Sequence, residues 1–512
     1  MSNLDNPTRP VHAWAVEFVD RLRWERRSAV VLFVGFVVVY AIGMGKGSHL
    51  DSDDTLYAEM ARQMVETGNW LDNQWSGHVV FEKPPLYLWT LAVSGWLGDW
   101  SEMALRIPGT LFSLMTLASL MVLVKQLGGS WRQGVAAAAL VGVSYFFFMM
   151  TRRLMMDGPM VAMIVLATLS LAKRSTRGFG IFSGLAVMMK GAAAGPLILA
   201  LCVFGFWDKR LTMKSLLQAG GLGLCVAAPW HIQQWVSHGS EFWSGYLGHH
   251  VVERASSQVV PGSSLTESLQ LLVSHEPIIF LGAALGLVVF VRRRGDDSVG
   301  RLGLCLLAGA CLPVLFSTTR LPHYWLPAIP ALALLTVTAP PKNIWPYRMT
   351  ATAIALMMIV SLMNDPLKVQ IFWLNPNFGP AEKSIGEAVR EHADESDRVI
   401  AFNSMSNALI FYSRHSVEML TNDPRFYAIQ DRVHMIRRSN VLQWFEDGLS
   451  PPADNEHRFI VLRASEEEAK EHSDFNSVVR AMRQSAPLRP LHRIDHKYRV
   501  LVNDKGLGDV IP

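Results

Sequence analysis

Two runs of ionisable residues follow the first apolar segment of the chain, the second about thirty residues after the first. One is Asp51-Ser-Asp53-Asp54, and the other is Glu82-Lys83 followed by two prolines. Charged groups held at a bilayer are costly, so by default they mark a functional site. A carboxylate such as Asp53 is suited to act as a general base toward a hydroxyl group. Lys83 is suited to neutralise a phosphate leaving group, and Glu82 to hold a metal or a neighbouring cation.

Each run also has a structural interpretation. Asp53 or Asp54 could cap a helix that ends at Gly68, although three acids in four residues exceed the need of one cap. Helical spacing places four residues of this segment on one face: Asp53, Tyr57, Met60 and Met64. Lys83 could snorkel to the water boundary while the prolines after it begin a helix. The sequence alone leaves both interpretations open.

Further candidate residues lie in four later segments. They are Arg152, Arg153 and Asp157; Lys190; His249 and Arg254; and Arg320, His323 and Tyr324. Arginine can grip a phosphate with two hydrogen bonds, and Lys190 beside small residues suits close approach of an anionic ligand. The structural alternatives are helix capping by Asp157, snorkelling by Lys190 and an aromatic belt at Tyr324. For the histidine pair at 249 and 250, an ordinary surface position is favoured over a metal site.

The elements that must carry these residues are mostly apolar. The 512 residues are 50% hydrophobic and 18% charged, with a mean hydropathy of +0.22. Up to residue 364 the chain consists of apolar runs that approach the ~20 residues of a membrane span. The predicted spans are 29–45, 104–124, 134–150, 157–172, 179–197, 197–207, 213–230, 268–291, 302–317, 323–339 and 349–364. The run after Lys83 is only ~15 residues long, which favours a re-entrant or interfacial helix.

Several classes of protein are excluded by composition. The net charge of +4 is small and scattered, so there is no nucleic-acid footprint. All four cysteines lie in apolar runs, so neither a disulfide framework nor a cysteine zinc site is indicated. The first apolar run lacks a small-residue cleavage site and is followed by many others, so it is an anchor rather than a signal peptide.

The basic residues predict the orientation of the chain. They cluster in alternate loops, around residues 21–27, 125–132, 173–177, 209–214, 292–294 and 342–348. The positive-inside rule places all six clusters in the cytoplasm. The candidate residues then fall on the outer side, in segments 51–83, 152–157, 190, 231–266 and 320–324. The tail follows the last span and is predicted on that same side.

The predicted fold class is a polytopic α-helical membrane protein with a C-terminal soluble α/β domain. Residues 1–28 are the cytoplasmic N-terminus, and 29–364 are the transmembrane catalytic domain, in which 51–103 form the first outer loop with juxtamembrane helices. Residues 365–512 are the α/β domain, where 383–392 has a helical pattern and 398–402, 417–420, 459–462 and 499–502 have strand patterns. This domain either shapes acceptor access or is a stabilising cap without chemistry.

Together the motifs resemble the membrane GT-C glycosyltransferases, in particular the branch of the lipid A aminoarabinose transferases and, more distantly, the protein O-mannosyltransferases. The resemblance covers most of the chain up to residue 340, and any single motif in it is weak. Its motifs are Asp53-Asp54-x-x-Tyr57-Ala-Glu59-x-Ala-Arg62-x-Met64, Gly68-Asn-Trp70, Phe81-Glu82-Lys83-Pro84-Pro85-Leu86, Arg106-Ile-Pro108, Arg153-x-x-x-Asp157, Lys190-Gly191, His249-x-x-x-x-Arg254 and His323-Tyr324-x-x-Pro327. It implies a GT-C fold with about 11 to 13 membrane helices.

The resemblance also implies a reaction. The donor would be a sugar on a polyprenyl phosphate, such as undecaprenyl phosphate, and transfer to a lipid (lipid A-like), glycan or protein acceptor would invert the anomeric carbon. Asp53 would be the base or would position the acceptor, with Asp157 assisting. The donor phosphate would be bound by Lys83, Lys190, Arg254, Tyr324, Tyr57 and Arg320. Glu82 and His249 correspond to a metal pair (Zn²⁺ the candidate) in some relatives, but two ligands are too few to establish a metal.

The first motif departs from the pattern of the relatives. They often carry an arginine before the tyrosine of the first motif, where this chain has Leu56. Arg152 or Arg320 is the candidate to supply the corresponding phosphate contact. The sequence does not identify the sugar.

Two other functions remain alternatives. A transporter or flippase of polyprenyl-linked sugars would also bind phosphate with cations, but transporters tend to have internal repeats and broken helices at the bilayer midplane. A membrane scaffold with an outer interaction domain leaves the acid and lysine clusters unexplained. The expected location is the bacterial inner membrane, with the site and the C-terminal domain facing the periplasm.

Overall fold

The fold was analysed in a computed structural model of the full chain. It describes residues 27, 29–49, 53–75, 78–253, 264–318, 320–338, 382–393, 398–402, 407–421, 441–443, 458–463, 488–494 and 498–503. The predicted span 349–364 therefore lies outside the described residues. Asp51 and Arg254 lie outside them as well.

Helices dominate the described residues. They are α1 (Ala29–Ala41), α2 (Asp53–Thr67), α3 (Leu86–Leu97), α4 (Glu102–Gln126), α5 (Trp131–Val143), α6 (Tyr145–Arg152), α7 (Asp157–Ala172), α8 (Thr176–Lys190), α9 (Gly195–Trp207), α10 (Met213–Trp243), α11 (Leu265–His275), α12 (Pro277–Arg292), α13 (Ser298–Phe316), α14 (Ala328–Val337), α15 (Glu382–His392) and α16 (Asn407–Ser413). Every predicted span from 29–45 to 323–339 falls on one or two of these helices.

Few of the described helical segments are both long enough and apolar enough to cross a membrane. By length and composition, three described segments qualify: Glu102–Gln126, Thr176–Trp207 and Ser298–Phe316. The pair α11 and α12 gives a fourth if it is one bent span, and α1, α3, α7 and α14 are shorter apolar helices. The larger number of spans stays a prediction. Helix α3 has 12 residues and is about 18 Å long, which is too short for the ~30 Å hydrocarbon core.

Two predicted spans are broken in the structure. Residues 134–150 divide into α5 and α6 at Ser144, whose backbone (φ −56°, ψ 122°) is not helical and whose hydroxyl caps Phe147 N–H. Residues 268–291 divide into α11 and α12 with a bend of 96°. Pro277 causes this second break because it has no N–H and disfavours helical geometry at the residue before it, Glu276.

The chain forms two compact units. The first unit comprises residues 1–44, 107–233 and 251–369. Within it α7 packs on α8, α9 on α13, and α14 on both α12 and α13. A side chain at Gly286 of α12 would collide with the carbonyl oxygen of Leu335 in α14. Glycine therefore permits this close contact between two apolar helices.

The second unit comprises residues 45–106, 234–250 and 370–512. Helices α2 and α3 pack together, and the hairpin β1 (Gln74–Trp75) and β2 (His78–Val79) lies between them in sequence. In the tail, α15 packs on α16 and α16 packs on α2. The predicted boundaries of the three domains stay predictions.

The tail also contains a six-stranded sheet. Its strands are β3 (Arg398–Phe402), β4 (Val417–Thr421), β5 (Val441–Gln443), β6 (Arg458–Arg463), β7 (Leu488–Ile494) and β8 (Tyr498–Asn503). Their order is β5-β4-β3-β6-β8-β7, with β5, β4, β3 and β6 parallel and the last two pairs antiparallel. The four predicted strands coincide with β3, β4, β6 and β8. Strand β7 escaped prediction because it contains Pro490, where its register is irregular.

Candidate active site

Asp157 and Lys190 form a buried ion pair in the first unit. Asp157 begins α7 and Lys190 ends α8, and these two helices pack along each other. The Lys190 Nζ lies 2.5 Å from Asp157 Oδ1, with the side chains 10% and 3% exposed. Gly191, at a positive φ of 64°, lets the chain turn immediately after Lys190. The other carboxylate oxygen, Asp157 Oδ2, is buried and has no hydrogen-bond partner among the described residues.

Tyr324 joins this pair. It lies in a 3-10 helix, Pro322–Trp325, and its ring centroid is 5.5 Å from the Lys190 ammonium, which is cation–π distance. The next residue, Trp325, donates its indole N–H to Ser268 Oγ at 2.7 Å and so ties this turn to α11. The structure thus brings together three of the predicted site residues: a carboxylate, an ammonium group and a phenol ring.

Asp53 and Tyr57 lie on α2 in the second unit. The helix begins at Asp53 and ends before Gly68, whose φ of +70° favours glycine, as the capping pattern predicts. Asp53 is half-buried, while Tyr57, Met60 and Met64 on the same face are buried. Asp53 is therefore the member of this face that remains accessible to solvent. Deeper in the helix, Glu59 pairs with Arg62 at 2.7 Å and is fully buried, which indicates a structural role.

Arg106 fixes the segment that leads into α2. Its guanidinium donates hydrogen bonds to the backbone carbonyls of Lys46, Gly47 and Ser48 at 2.7, 3.0 and 3.2 Å. These carbonyls belong to a loop rather than a helix, so they need donors from elsewhere. Arg106 of the Arg106-Ile-Pro108 motif thus holds the loop that lies a few residues before Asp53.

Glu82 and Lys83 are both half-buried and lie in the turn before α3. Asn73 holds this turn, because its amide donates to the carbonyl oxygen of Lys83 at 2.6 Å. The predicted proline start of α3 is present, with Pro85 directly before the helix. The backbone of Lys83 is therefore fixed by a neighbouring loop, independently of its side chain.

An aspartate and a histidine that the sequence analysis did not single out hold the same loop. Asp72 Oδ1 lies 3.0 Å from His238 Nε2 and accepts a hydrogen bond from Gln234 at 2.8 Å, both on α10. Burial raises the pKa of Asp72, but hydrogen bonds from Asn69, Gln234 and His238 outweigh it, so the net pKa is below the usual value. The Phe81 ring packs on His238 at 5.0 Å. The residues that carry Glu82 and Lys83 are thereby anchored to α10.

Arg152 and Arg320 are the candidates for the phosphate contact that relatives make with the arginine replaced here by Leu56. Both arginines donate hydrogen bonds to backbone carbonyls in the structure. Arg152 is 2% exposed, donates to the Ile42 carbonyl at 2.5 Å and lies over the Phe148 ring. Arg320 is half-buried and donates to the Val314 carbonyl at 3.0 Å. Leu56 itself is buried. A phosphate contact by either arginine stays a prediction, and Arg320 is the more accessible of the two.

His249 lies in a π-helix, Ser244–Glu253, that follows α10, and its side chain is outside the described part of the structure. Structural or catalytic zinc takes three or four protein ligands. No group of three His, Cys, Asp or Glu side chains in the described ranges is arranged to hold a metal ion. The Glu82 and His249 pair therefore stays a prediction.

The described helices have the membrane GT-C fold. The chain superimposes on the crystal structure of ArnT from Cupriavidus metallidurans bound to undecaprenyl phosphate with a TM-score of 0.68 and 16% identity, covering 93% of this chain and 98% of that one. The apo structure of the same protein gives a TM-score of 0.66 at 18% identity, covering 94% of this chain and 98% of that one. This similarity establishes the architecture.

Sequence similarity points to one branch of that class. The model of the dolichyl-phosphate-mannose-protein mannosyltransferase family matches residues 82–232. An undecaprenyl phosphate-alpha-4-amino-4-deoxy-L-arabinose arabinosyl transferase of Pseudomonas fluorescens is 27% identical over 326 residues, 60% of this chain and 58% of the relative. A Proteus mirabilis enzyme of the same name is 27% identical over 342 residues, 61% and 59%. The chain thus aligns with less than two thirds of these relatives, and the predicted resemblance to GT-C glycosyltransferases of the aminoarabinose transferase type is confirmed.

Proposed function

We propose that this protein is an inverting membrane glycosyltransferase that moves a sugar from a polyprenyl-phosphate donor to a lipid (lipid A-like), glycan or protein acceptor. The observation that carries the proposal is the cluster of Asp157, Lys190 and Tyr324 within a GT-C fold. A buried ammonium group beside a carboxylate, at the end of a helix that is followed by glycine, suits an anionic group that approaches closely. The names of the relatives specify undecaprenyl phosphate as the carrier, and we propose it here as well.

The proposed reaction is a single displacement. The acceptor oxygen attacks the anomeric carbon from the face opposite the phosphate, and the bond between that carbon and the phosphate oxygen breaks. Its electron pair leaves with the polyprenyl phosphate, and the acceptor proton passes to Asp53, the accessible carboxylate at the start of α2. Attack and departure on opposite faces invert the anomeric centre.

The leaving group determines the rest of the site. Phosphate is stable as an anion, so no general acid is required, and the need is for fixed cations where charge develops on its oxygens. Lys83 and Lys190 are the described lysines proposed for this role, with Tyr57, Tyr324, Arg320 and Arg254 as further contacts. Asp157 and the Tyr324 ring orient the Lys190 ammonium.

The location of the reaction is part of the proposal. We place the protein in the bacterial inner membrane with the site on the periplasmic side, because the basic clusters lie in the other set of loops. We propose that the strands from residue 398 onward, together with α15 and α16, belong to a C-terminal soluble α/β domain. A polyprenyl tail stays in the lipid, so its phosphate meets the protein at the membrane surface.

The direct test is transfer by purified protein in lipid vesicles. Wild type and Asp53→Asn are supplied with undecaprenyl-phosphate sugars, beginning with 4-amino-4-deoxy-L-arabinose, and with lipid A, glycan and peptide acceptors. We expect wild type to transfer sugar with inversion and Asp53→Asn to lose about 10²–10⁴-fold in kcat. Asp99→Asn is the matched control, since Asp99 is 94% exposed. Movement of donor lipid between leaflets without transfer would instead identify a flippase, and full activity of Asp53→Asn would refute the role of the base.

A further inference from the structure

The proposed chemistry leaves a cluster of polar side chains in the second unit without a task. It surrounds Tyr412 of α16, and we call it the Tyr412 cluster: His49, Glu102, Arg106, Lys383 and Tyr412. His49, Arg106 and Tyr412 are 2%, 3% and 6% exposed. Buried polar and charged groups are costly to keep unless they are paired with one another. Their pairing therefore shows what the cluster holds together.

Tyr412 connects three segments of the chain. Its hydroxyl accepts a hydrogen bond from His49 N–H at 2.9 Å and donates one to Glu102 at 3.4 Å. Burial, followed by the charge of Glu102, raises the pKa of Tyr412 well above its usual value, so the hydroxyl keeps its proton. Lys383 of α15 forms an ion pair with the same Glu102 and lies 5.2 Å from the Tyr412 ring. The tail thus holds both the start of α4 and the loop before α2.

That loop is the segment that leads to the proposed base. Arg106 holds its carbonyls at residues 46 to 48, and Tyr412 holds the N–H of the next residue, His49. Burial first, and then the neighbouring cations Arg106 and Lys383, lower the pKa of His49, so this side chain is neutral. Asp53 follows four residues later. The hydroxyl of Tyr412 therefore connects the C-terminal residues to the loop that leads to Asp53.

Helix packing reinforces the same connection. Residues 408–413 of α16 are buried, and this helix packs directly on α2. A side chain at Gly386 of α15 would approach the Cβ of Tyr412 to 2.8 Å and the backbone nitrogen of Ser413 to 2.9 Å. The close packing of α15 against α16 therefore requires glycine at 386, and a larger residue there would displace Tyr412.

We infer that the C-terminal helices α15 and α16 position the catalytic carboxylate, and that Tyr412 is a positioning residue for Asp53. This inference rests on the proposed transferase function. It assigns to the tail a part in the chemical step, beyond access of the acceptor or simple stabilisation. Displacement of a reacting group by about 1 Å can cost on the order of 10²-fold in rate, so loss of one hydroxyl at this distance has a measurable consequence.

The experiment compares Tyr412→Phe with wild type in the vesicle transfer assay and by amide hydrogen exchange. We expect kcat to fall by at least about tenfold, with little change in the KM for donor because most of the proposed phosphate contacts lie outside α2 and the loop before it. We also expect faster exchange in the peptide that covers residues 45–60, because His49 N–H loses its acceptor. Gly386→Val should reproduce both effects by moving Tyr412.

Controls separate positioning from stability. Arg414→Ala removes an ion pair of 3.5 Å between the residue directly after α16 and the 94% exposed Asp99, and it should leave kcat and exchange unchanged. Unchanged kcat in Tyr412→Phe, even with a lower melting temperature, would overturn the inference, as would unchanged exchange at 45–60. Absence of transfer by wild type would refute the proposed function itself. A Tyr412→Phe variant as active as wild type would refute only the positioning role of Tyr412.

Discussion

At the scale of single residues, the Asp157 and Lys190 pair shows how one contact can serve both stability and chemistry. Both side chains are nearly inaccessible to solvent, and their charges lie 2.5 Å apart. Removal of one member of a buried pair leaves the other charge uncompensated, and this costs more than the pair contributes when intact. The stability and the activity of the protein should therefore respond differently to single and double substitutions.

Lys190→Met should lower the free energy of unfolding by about 3–5 kcal/mol because Asp157 stays buried without a counter-charge. The double variant Asp157→Asn/Lys190→Met should recover most of this loss, since neither partner is then charged. It should not recover sugar transfer, because the ammonium group is gone. Thermal unfolding in detergent and vesicle transfer measure the two properties. Equal destabilisation by the single and double variants would show that the pair is not an isolated charge couple.

The sequence singles out individual candidate residues, but it does not show which distant residues contact one another. Asp157 and Lys190 stand out as charged residues in apolar runs, whereas Tyr324 is a candidate through the resemblance to GT-C enzymes, and the structure brings these three together. The contact of Asp72 with His238 was missed because 166 residues separate them. Neither residue is unusual in its own local sequence. Such a contact depends on the packing of distant elements, and local pattern carries no information about it.

At the scale of elements, apolar length predicted where helices lie but not where they break. The breaks at Ser144 and Glu276 are joined to each other, since Glu276 accepts hydrogen bonds from Ser144 Oγ at 2.6 Å and from Phe146 N–H at 2.8 Å. The carboxylate thus supplies the acceptor that the first turn of α6 needs. Pro277 signals one break in the sequence, whereas the carboxylate that accompanies the break at Ser144 comes from a residue 132 positions away.

Substitution of Glu276 tests the hydrogen-bonded contact between the two helix breaks. Glu276→Ala should destabilise the protein by about 1–3 kcal/mol, because a buried N–H and a hydroxyl lose their acceptor. Glu276→Gln should be milder, since its amide oxygen can still accept both hydrogen bonds. Thermal unfolding in detergent ranks the variants, with Asp99→Asn at a 94% exposed carboxylate as control. A glutamine variant as unstable as the alanine variant would show that charge, rather than hydrogen bonding, holds the two breaks together.

At the scale of the whole molecule, the alternation of basic clusters along the sequence predicts which loops share a side of the membrane. The GT-C architecture agrees with a multi-pass membrane protein. Lysine and arginine in short loops set the orientation of a membrane protein. They therefore decide on which side of the bilayer the loop before α2 and the tail lie. The Tyr412 cluster adds a structural reason to expect one side for both, because His49 and Tyr412 are hydrogen-bonded.

Cysteine labelling in intact cells tests that orientation. The four native cysteines (Cys202, Cys225, Cys305 and Cys311) are first replaced, because Cys225 is exposed. In this background Ser52→Cys and Ser404→Cys should both react with a membrane-impermeant maleimide added from the periplasmic side. Arg177→Cys lies in a predicted cytoplasmic cluster and should react only after the membrane is permeabilised. Labelling of positions 52 and 404 from opposite sides would contradict the predicted topology. It would also contradict the hydrogen bond between His49 and Tyr412, because each labelled position lies within eight residues of one partner in that bond.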